Sequence, residues 1–109
     1  MVPILGKSVL EYIPLGCFKD SNITHAIPSL ESEKATYLDG NYTTRSNHIE
    51  KCALEAAKMD YRVFAPQNGG ACHSGPYAHL NYSIYGPGTC ISDGLGGVLG
   101  NDVYLLGGW

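Results

Sequence analysis

Asn47-His48-Ile49-Glu50-Lys51-Cys52-Ala53-Leu54-Glu55-Ala56-Ala57-Lys58-Met59-Asp60, running straight into Tyr61-Arg62-Val63-Phe64-Ala65-Pro66, is the stretch on which the fold turns. Ile49, Cys52, Ala53, Ala56 and Met59 recur at helical spacing and mark one apolar face. Asn47 stands at the N-cap position with Glu50 three residues on, a capping box with Asn in place of Ser. Asp60 ends the helix, and Tyr61 to Pro66 alternates and is rich in strand formers, which predicts a strand packed beside it. Asn68-Gly69-Gly70 is a turn signal, and Ala71-Cys72-His73 returns as the partner strand.

Outward from this unit the chain is looser. Residues 9 to 18 read as an extended stretch in which Pro14 marks an edge position or a bend. Lys19 to Asn41 carries the polar punctuation of surface loop, with Pro28 and Asp39-Gly40. Ser74 to Gly100 is mostly Gly, Pro, Tyr, Ser and Asn, and Asp102 to Leu106 closes as a last strand. No internal repeat or low-complexity segment interrupts this order. The expected class is α+β: a small domain, stapled by disulfides, with one main helix packed on an antiparallel sheet and long loops.

The length of 109 residues allows one domain with one modest core. Fourteen glycines and six prolines fit a fold with many tight turns. A net charge of -3 and seven scattered Lys and Arg residues argue against nucleic acid or an anionic membrane as partner. No segment reaches the roughly 18 apolar residues of a membrane span. Val2-Pro3-Ile4-Leu5, broken by Gly6 and Lys7, is too short for the apolar core of a signal peptide. The chain therefore reads as a mature fragment or as one unit of a longer protein.

Three sequons, Asn22-Ile23-Thr24, Asn41-Tyr42-Thr43 and Asn81-Tyr82-Ser83, exceed what six asparagines would yield by chance. They point to N-glycosylation at Asn22, Asn41 and Asn81 and to a secreted, extracellular glycoprotein. The four cysteines, Cys17, Cys52, Cys72 and Cys90, are even in number and widely spaced, without a C-x-x-C pair. That pattern speaks against zinc and for two disulfides in an oxidising compartment, with three connectivities open.

Read in order, Leu15-Gly16-Cys17-Phe18-Lys19-Asp20, Ile49-Glu50-Lys51-Cys52-Ala53, Tyr61-Arg62-Val63-Phe64-Ala65, Gly70-Ala71-Cys72-His73-Ser74-Gly75 and Asp102-Val103-Tyr104 resemble the WSC domain, a cysteine-rich extracellular module. The resemblance covers about residues 12 to 105. Val63 to Gly70, followed by Asp93-Gly94-Leu95-Gly96-Gly97, looks closer still to domains of secreted invertebrate proteins. It divides the chain into an N-terminal extension, 1–11, a WSC-like domain, 12–105, and a C-terminal tail, 106–109. What it implies is a fold related to PAN/apple modules, a place outside the cell and carbohydrate binding. Such domains usually carry about eight cysteines, and two of the family's positions are here Ala56 and Ser74. If those two were bonded to each other, the resemblance implies Cys52–Cys72 and Cys17–Cys90 for the remaining pairs.

No Gly-x-Ser-x-Gly elbow, His-Glu-x-x-His helix or phosphate-binding glycine loop is present, so no enzyme activity and no cofactor are expected. Asp93 to Gly97 with Asn101 and Asp102 could gather oxygen ligands for calcium, but lacks the dense Asp/Asn alternation of a calcium loop and reads as a glycine-rich turn. No metal site is expected. Eight tyrosines against two phenylalanines suit surfaces where a ring packs and its hydroxyl stays wet. Tyr77, Tyr82 and Tyr85 with His79 lie in one loop-rich stretch, His73 sits beside Cys72, and Gln67 and Asn68 flank the turn. These seven are the candidate ligand residues for a carbohydrate or a cell-surface or matrix glycan, in a module serving adhesion. A rival reading starts from the apolar Val2, Ile4, Leu5, Val9, Leu10 and Trp109, which a monomeric domain would gain little by exposing. Residues 1–11 added as a strand to a neighbour's sheet would build a homopolymeric extracellular filament.

Overall fold

The computed structural model describes residues 10–107. The extension as far as Val9, with Gly108 and Trp109, lies outside them, and so does most of the segment to which strand addition was assigned.

The chain runs β1 (Glu11–Lys19), α1 (His48–Lys58), β2 (Val63–Gln67), β3 (Ala71–Ser74), α2 (Ala78–Asn81) and β4 (Gly100–Gly107). The strands form one antiparallel sheet in the order β1-β4-β2-β3, so the last strand fills a central place between the first and the second. The protein is thus a small α+β domain, with one main helix and two disulfides.

β1 pairs with β4 from Glu11 opposite Gly107 to Lys19 opposite Gly100, with a register shift between Pro14 and Gly16. Leu15 is the extra residue of that bulge, while Pro14 still stands opposite Tyr104; a proline is tolerated there because β1 is an edge strand, with one side free of ladder bonds among the described residues. β2 and β3 form the hairpin that the turn signal predicts, with Gln67 opposite Ala71. Asn68, Gly69 and Gly70 all hold positive φ, and a Cβ on Gly70 would meet the His48 ring at 2.2 Å. Glycine is required there on both counts. β2 pairs with β4 at Val63, Phe64 and Gln67 and is interrupted between them, where Pro66 has no N–H to give.

Alternation then sorts the side chains. Phe64, Cys72 and Leu106 point towards α1, where they pack with Leu38, Cys52, Ala53 and Ala56. Val63, Ala65 and Val103 point to the other side and pack with Ala26, Ile27 and Ala78.

Both ends of α1 differ from the sequence reading. Asn47 adopts a left-handed conformation (φ 54°) and its side chain makes no capping bond, so the capping box does not form. Met59 is 49% exposed and stands outside the buried face, because it is the C-cap of a helix that has already begun to turn away. The Asp60 N–H bonds Ala57 O and the Tyr61 N–H bonds Ala56 O, with Asp60 at φ 63°. That is a Schellman closure with Asp in the position glycine usually takes.

Cys52–Cys72 joins α1 to β3, and Cys17–Cys90 joins β1 to the loop before β4. These are the pairs implied by the resemblance. In the loop-closure picture they contribute about 3 and about 4 kcal/mol. Loops seal parts of both sheet edges. Leu30 N–H and Cys72 O, then Ser74 N–H and Pro28 O, close the outer side of β3. Lys19 N–H and Gly86 O, then Gly88 N–H and Cys17 O, cover the C-terminal end of β1. A bidentate Arg45–Glu31 ion pair, with Glu31 Oε2 also accepting the Cys72 N–H, anchors the long first loop to β3.

Candidate functional site

Where β1 ends, the chain turns at Lys19 and Asp20 into a loop whose shape is set by one carboxylate. Asp20 is buried, and its Oδ1 accepts the N–H groups of Ser21 (2.8 Å) and Ala26 (2.7 Å). Its Oδ2 accepts from His25 Nδ1 (2.8 Å) and Gln67 Nε2 (2.8 Å). Gln67 also donates to Asn101 Oδ1 at 2.8 Å, so the loop, β2 and β4 are tied at one node. Burial opposes ionisation of Asp20, but the hydrogen bonds from His25, Ala26, Ser21 and Gln67 outweigh it and hold the carboxyl below its ordinary range.

His73 lies beside this node on β3. Its Nδ1 bonds Ile27 O at 2.9 Å, and its ring centre is 5.7 Å from that of His25. Burial pushes the His73 imidazole below its ordinary value, against the opposing pull of the Ile27 carbonyl and the Asp20 carboxylate. Burial thus favours the neutral ring, and since a carbonyl only accepts, Nδ1 carries a proton.

Above Asp20 an open pocket of about 350 Å³ is lined by Lys19, Asp20, Ser21, Asn22, Tyr85 and Leu99. The Tyr85 hydroxyl donates to Thr24 O at 2.6 Å, which pins the ring against the Ser21–His25 loop. The pocket thus combines one aromatic ring with a cation, a hydroxyl and an amide, above a carboxylate that is itself buried.

The seven candidate ligand residues do not share one surface. Tyr85 lines the pocket, and Gln67 and His73 are buried, Gln67 bonded to Asp20 and His73 beside it. Tyr82 packs edge-on against Phe18 at 5.0 Å, serving the core. Tyr77 is 66% exposed, beside α2. His79 Nδ1 is buried without a hydrogen-bond partner among the described residues. Asn68 sits at the hairpin tip and donates to the Tyr42 hydroxyl. All three sequon asparagines are exposed, and Asn41 forms an Asx turn closed by the Thr43 N–H and hydroxyl.

In the Asp93–Gly97 turn, Asp102 Oδ2 accepts the Gly96 N–H at 2.7 Å and Asp93 Oδ1 accepts the Leu95 N–H at 3.0 Å. These carboxylates shape the turn. The sequence reading missed Lys19, Asp20, Ser21 and His25 as site residues, and it weighed Asn101 only beside the glycine-rich turn. Lys19, Asp20, Ser21 and His25 are close in sequence but match no binding or catalytic motif, and what joins them to a site is Gln67, which meets Asp20 and Asn101 across 47 and 34 residues of chain.

Compared with family models, with curated proteins and with solved structures, the chain finds no match.

Proposed function

We propose that this chain is an extracellular, N-glycosylated, WSC-like module that performs no catalysis and contacts carbohydrate at the Lys19–Asn22 pocket, in an adhesion or matrix role. The observation that carries this reading is the pairing of the Tyr85 ring with Lys19 and Ser21 in one open pocket over the buried Asp20. A pyranose offers an apolar face to an aromatic ring and hydroxyls to fixed polar groups, and here the backbone of the loop that carries Ser21 is held by a buried network around Asp20. Two disulfides, three exposed sequon asparagines and the absence, among the described residues, of a helix long and apolar enough to cross a membrane are compatible with a place outside the cell. The test is a glycan-binding screen with Asn22→Gln protein, which frees the pocket rim of its own glycan. Sugar binding lost on Tyr85→Ala supports the reading. A folded Asn22→Gln protein that binds nothing across the panel overturns it.

A second reading, a structural subunit that polymerises through residues 1–11, is favoured by one feature of β1. From Glu11 to Gly16 its outer edge has no strand partner among the described residues, and Ile13 is exposed on it. An open edge is a template for another strand. Electron microscopy of the secreted protein separates the two readings. Filaments that vanish when residues 1–9 are removed, with disulfides intact, make it a subunit; uniform single particles exclude that role.

A further inference from the structure

We propose that Asp20, His25 and His73 together bind a divalent transition metal ion of the zinc type. Each residue offers one donor atom, and the three atoms lie within 4.8 Å of one another. Two imidazoles and one carboxylate are the donor set of zinc and its neighbours; calcium and magnesium favour shells made almost wholly of oxygen.

The two rigid donors are already oriented in the manner of metal ligands. His73 gives its Nδ1 proton to Ile27 O, which leaves the lone pair on Nε2, an atom that makes no hydrogen bond to another described residue. A ligating histidine held through its other nitrogen by a backbone carbonyl is the usual outer-sphere arrangement. Asp20 is fixed through Oδ1 by two backbone N–H groups and steadied at Oδ2 by Gln67, itself held by Asn101. The third donor is adjustable: His25 has a side chain 39% exposed, on the short loop between Asp20 and Ala26. In a tetrahedral site with bonds of about 2 Å the donors stand about 3.3 Å apart. His25 Nδ1 and Asp20 Oδ2, at 2.8 Å, must therefore part slightly. The other separations, at most 4.8 Å, close by up to about 1.5 Å.

The hydrogen bond between Asp20 and His25 uses two of these groups and leaves His73 Nε2 without a protein partner among the described residues. A metal ion accounts for all three. Its binding needs the lone pair of His25 Nδ1, so the proton that Nδ1 shares with Asp20 Oδ2 leaves by exchange with solvent and the neutral ring carries its one proton on Nε2 instead; the freed lone pair becomes the third bond. Three protein donors leave one position for water or for a ligand oxygen. Asp20 also lines the pocket, which brings that position close to whatever the pocket holds.

The experiment uses the full chain, stripped with a chelator and then titrated with Zn2+ against a chromophoric indicator, and with Co2+ read by its visible absorption. Expected is one equivalent bound at micromolar or tighter affinity, with the intense visible band of a four-coordinate cobalt site. His25→Ala, an exposed change, should weaken binding about tenfold or more while the disulfides and the fold persist. His48→Ala and His79→Ala should leave it unchanged. Binding that survives His25→Ala, absence of a stoichiometric site, or preference for Ca2+ over Zn2+ each overturns the proposal. Since no sugar enters the measurement, its outcome is independent of the carbohydrate screen.

Discussion

On the side of the sheet that α1 covers, Phe64 stacks on Tyr104 at 5.2 Å, Tyr12 meets both rings edge-on, and Cys52, Ala53 and Ala56 close over them. On the opposite side a smaller apolar cluster of Val63, Ala65, Val103, Ala26, Ile27 and Ala78 gives way, towards Asn101, to a node of hydrogen bonds around Asp20. One side is held by area removed from water, which is non-directional and tolerates small shifts. The other is held by directional bonds that fix side-chain positions but lose much when a single partner is removed. The pocket and the histidine pair both lie by the second kind of packing, on the side away from α1.

The comparison is broken most severely at Phe64. Phe64→Ala should cost about 4 kcal/mol and lower stability globally, seen as a shifted denaturation midpoint with an unchanged slope. Asp20→Asn should cost less, about 1–3 kcal/mol, because an amide keeps one oxygen for Ser21 and Ala26 but turns a donor towards His25 and Gln67. Its signature is local: amide exchange at Ser21 to Ala26 accelerates while β2 and β4 remain protected. Equal global loss in both variants would dissolve the distinction.

Acid sharpens it further. His73 has a folded pKa below its ordinary 6.5, so the unfolded chain binds the extra proton as pH falls. The stability this contributes is present above pH 6.5 and is lost as pH falls from there through the lowered value. Asp20, Glu31 and Glu55 have the same sign lower down, from ordinary values of 3.8, 4.5 and 4.5. For Glu31 and Glu55 burial raises the pKa, but the bonds from Arg45 and from Lys58 respectively, with backbone N–H groups, outweigh it. Urea midpoints should fall first below about pH 6.5 and again below about pH 4.5. His73→Gln should flatten the first step alone. The smallest effect is a gain: Asp60→Gly relieves the left-handed C-cap of α1 and should add roughly 0.5 kcal/mol, checked by thermal unfolding.

The helix, the β2–β3 hairpin and the closing strand were legible because each is written in consecutive residues. A period of 3.6 runs from Ile49 to Ala56, and Asn68-Gly69-Gly70 is a turn whatever surrounds it. The two disulfide pairs were reached through a resemblance, and the structure closes the same ones. The ends of α1 were misread because Asn47 satisfies the capping pattern by type yet adopts a left-handed backbone, and Met59 keeps the period one turn after the helix has begun to close.

By itself, then, the sequence determined the class of the fold, its elements and the even set of cysteines, since these depend on spacing over a few residues and on composition. Tertiary structure alone decided that β4 lies between β1 and β2, and that Asp20 binds His25, Gln67 and two backbone amides. It also decided that His73 faces His25 rather than the tyrosines of the Ser74–Gly100 loop. Strand order follows from which faces can be buried together. A polar node built from residues as far apart as Asp20, Gln67 and Asn101 has no period and no motif, so only the closed chain reveals it.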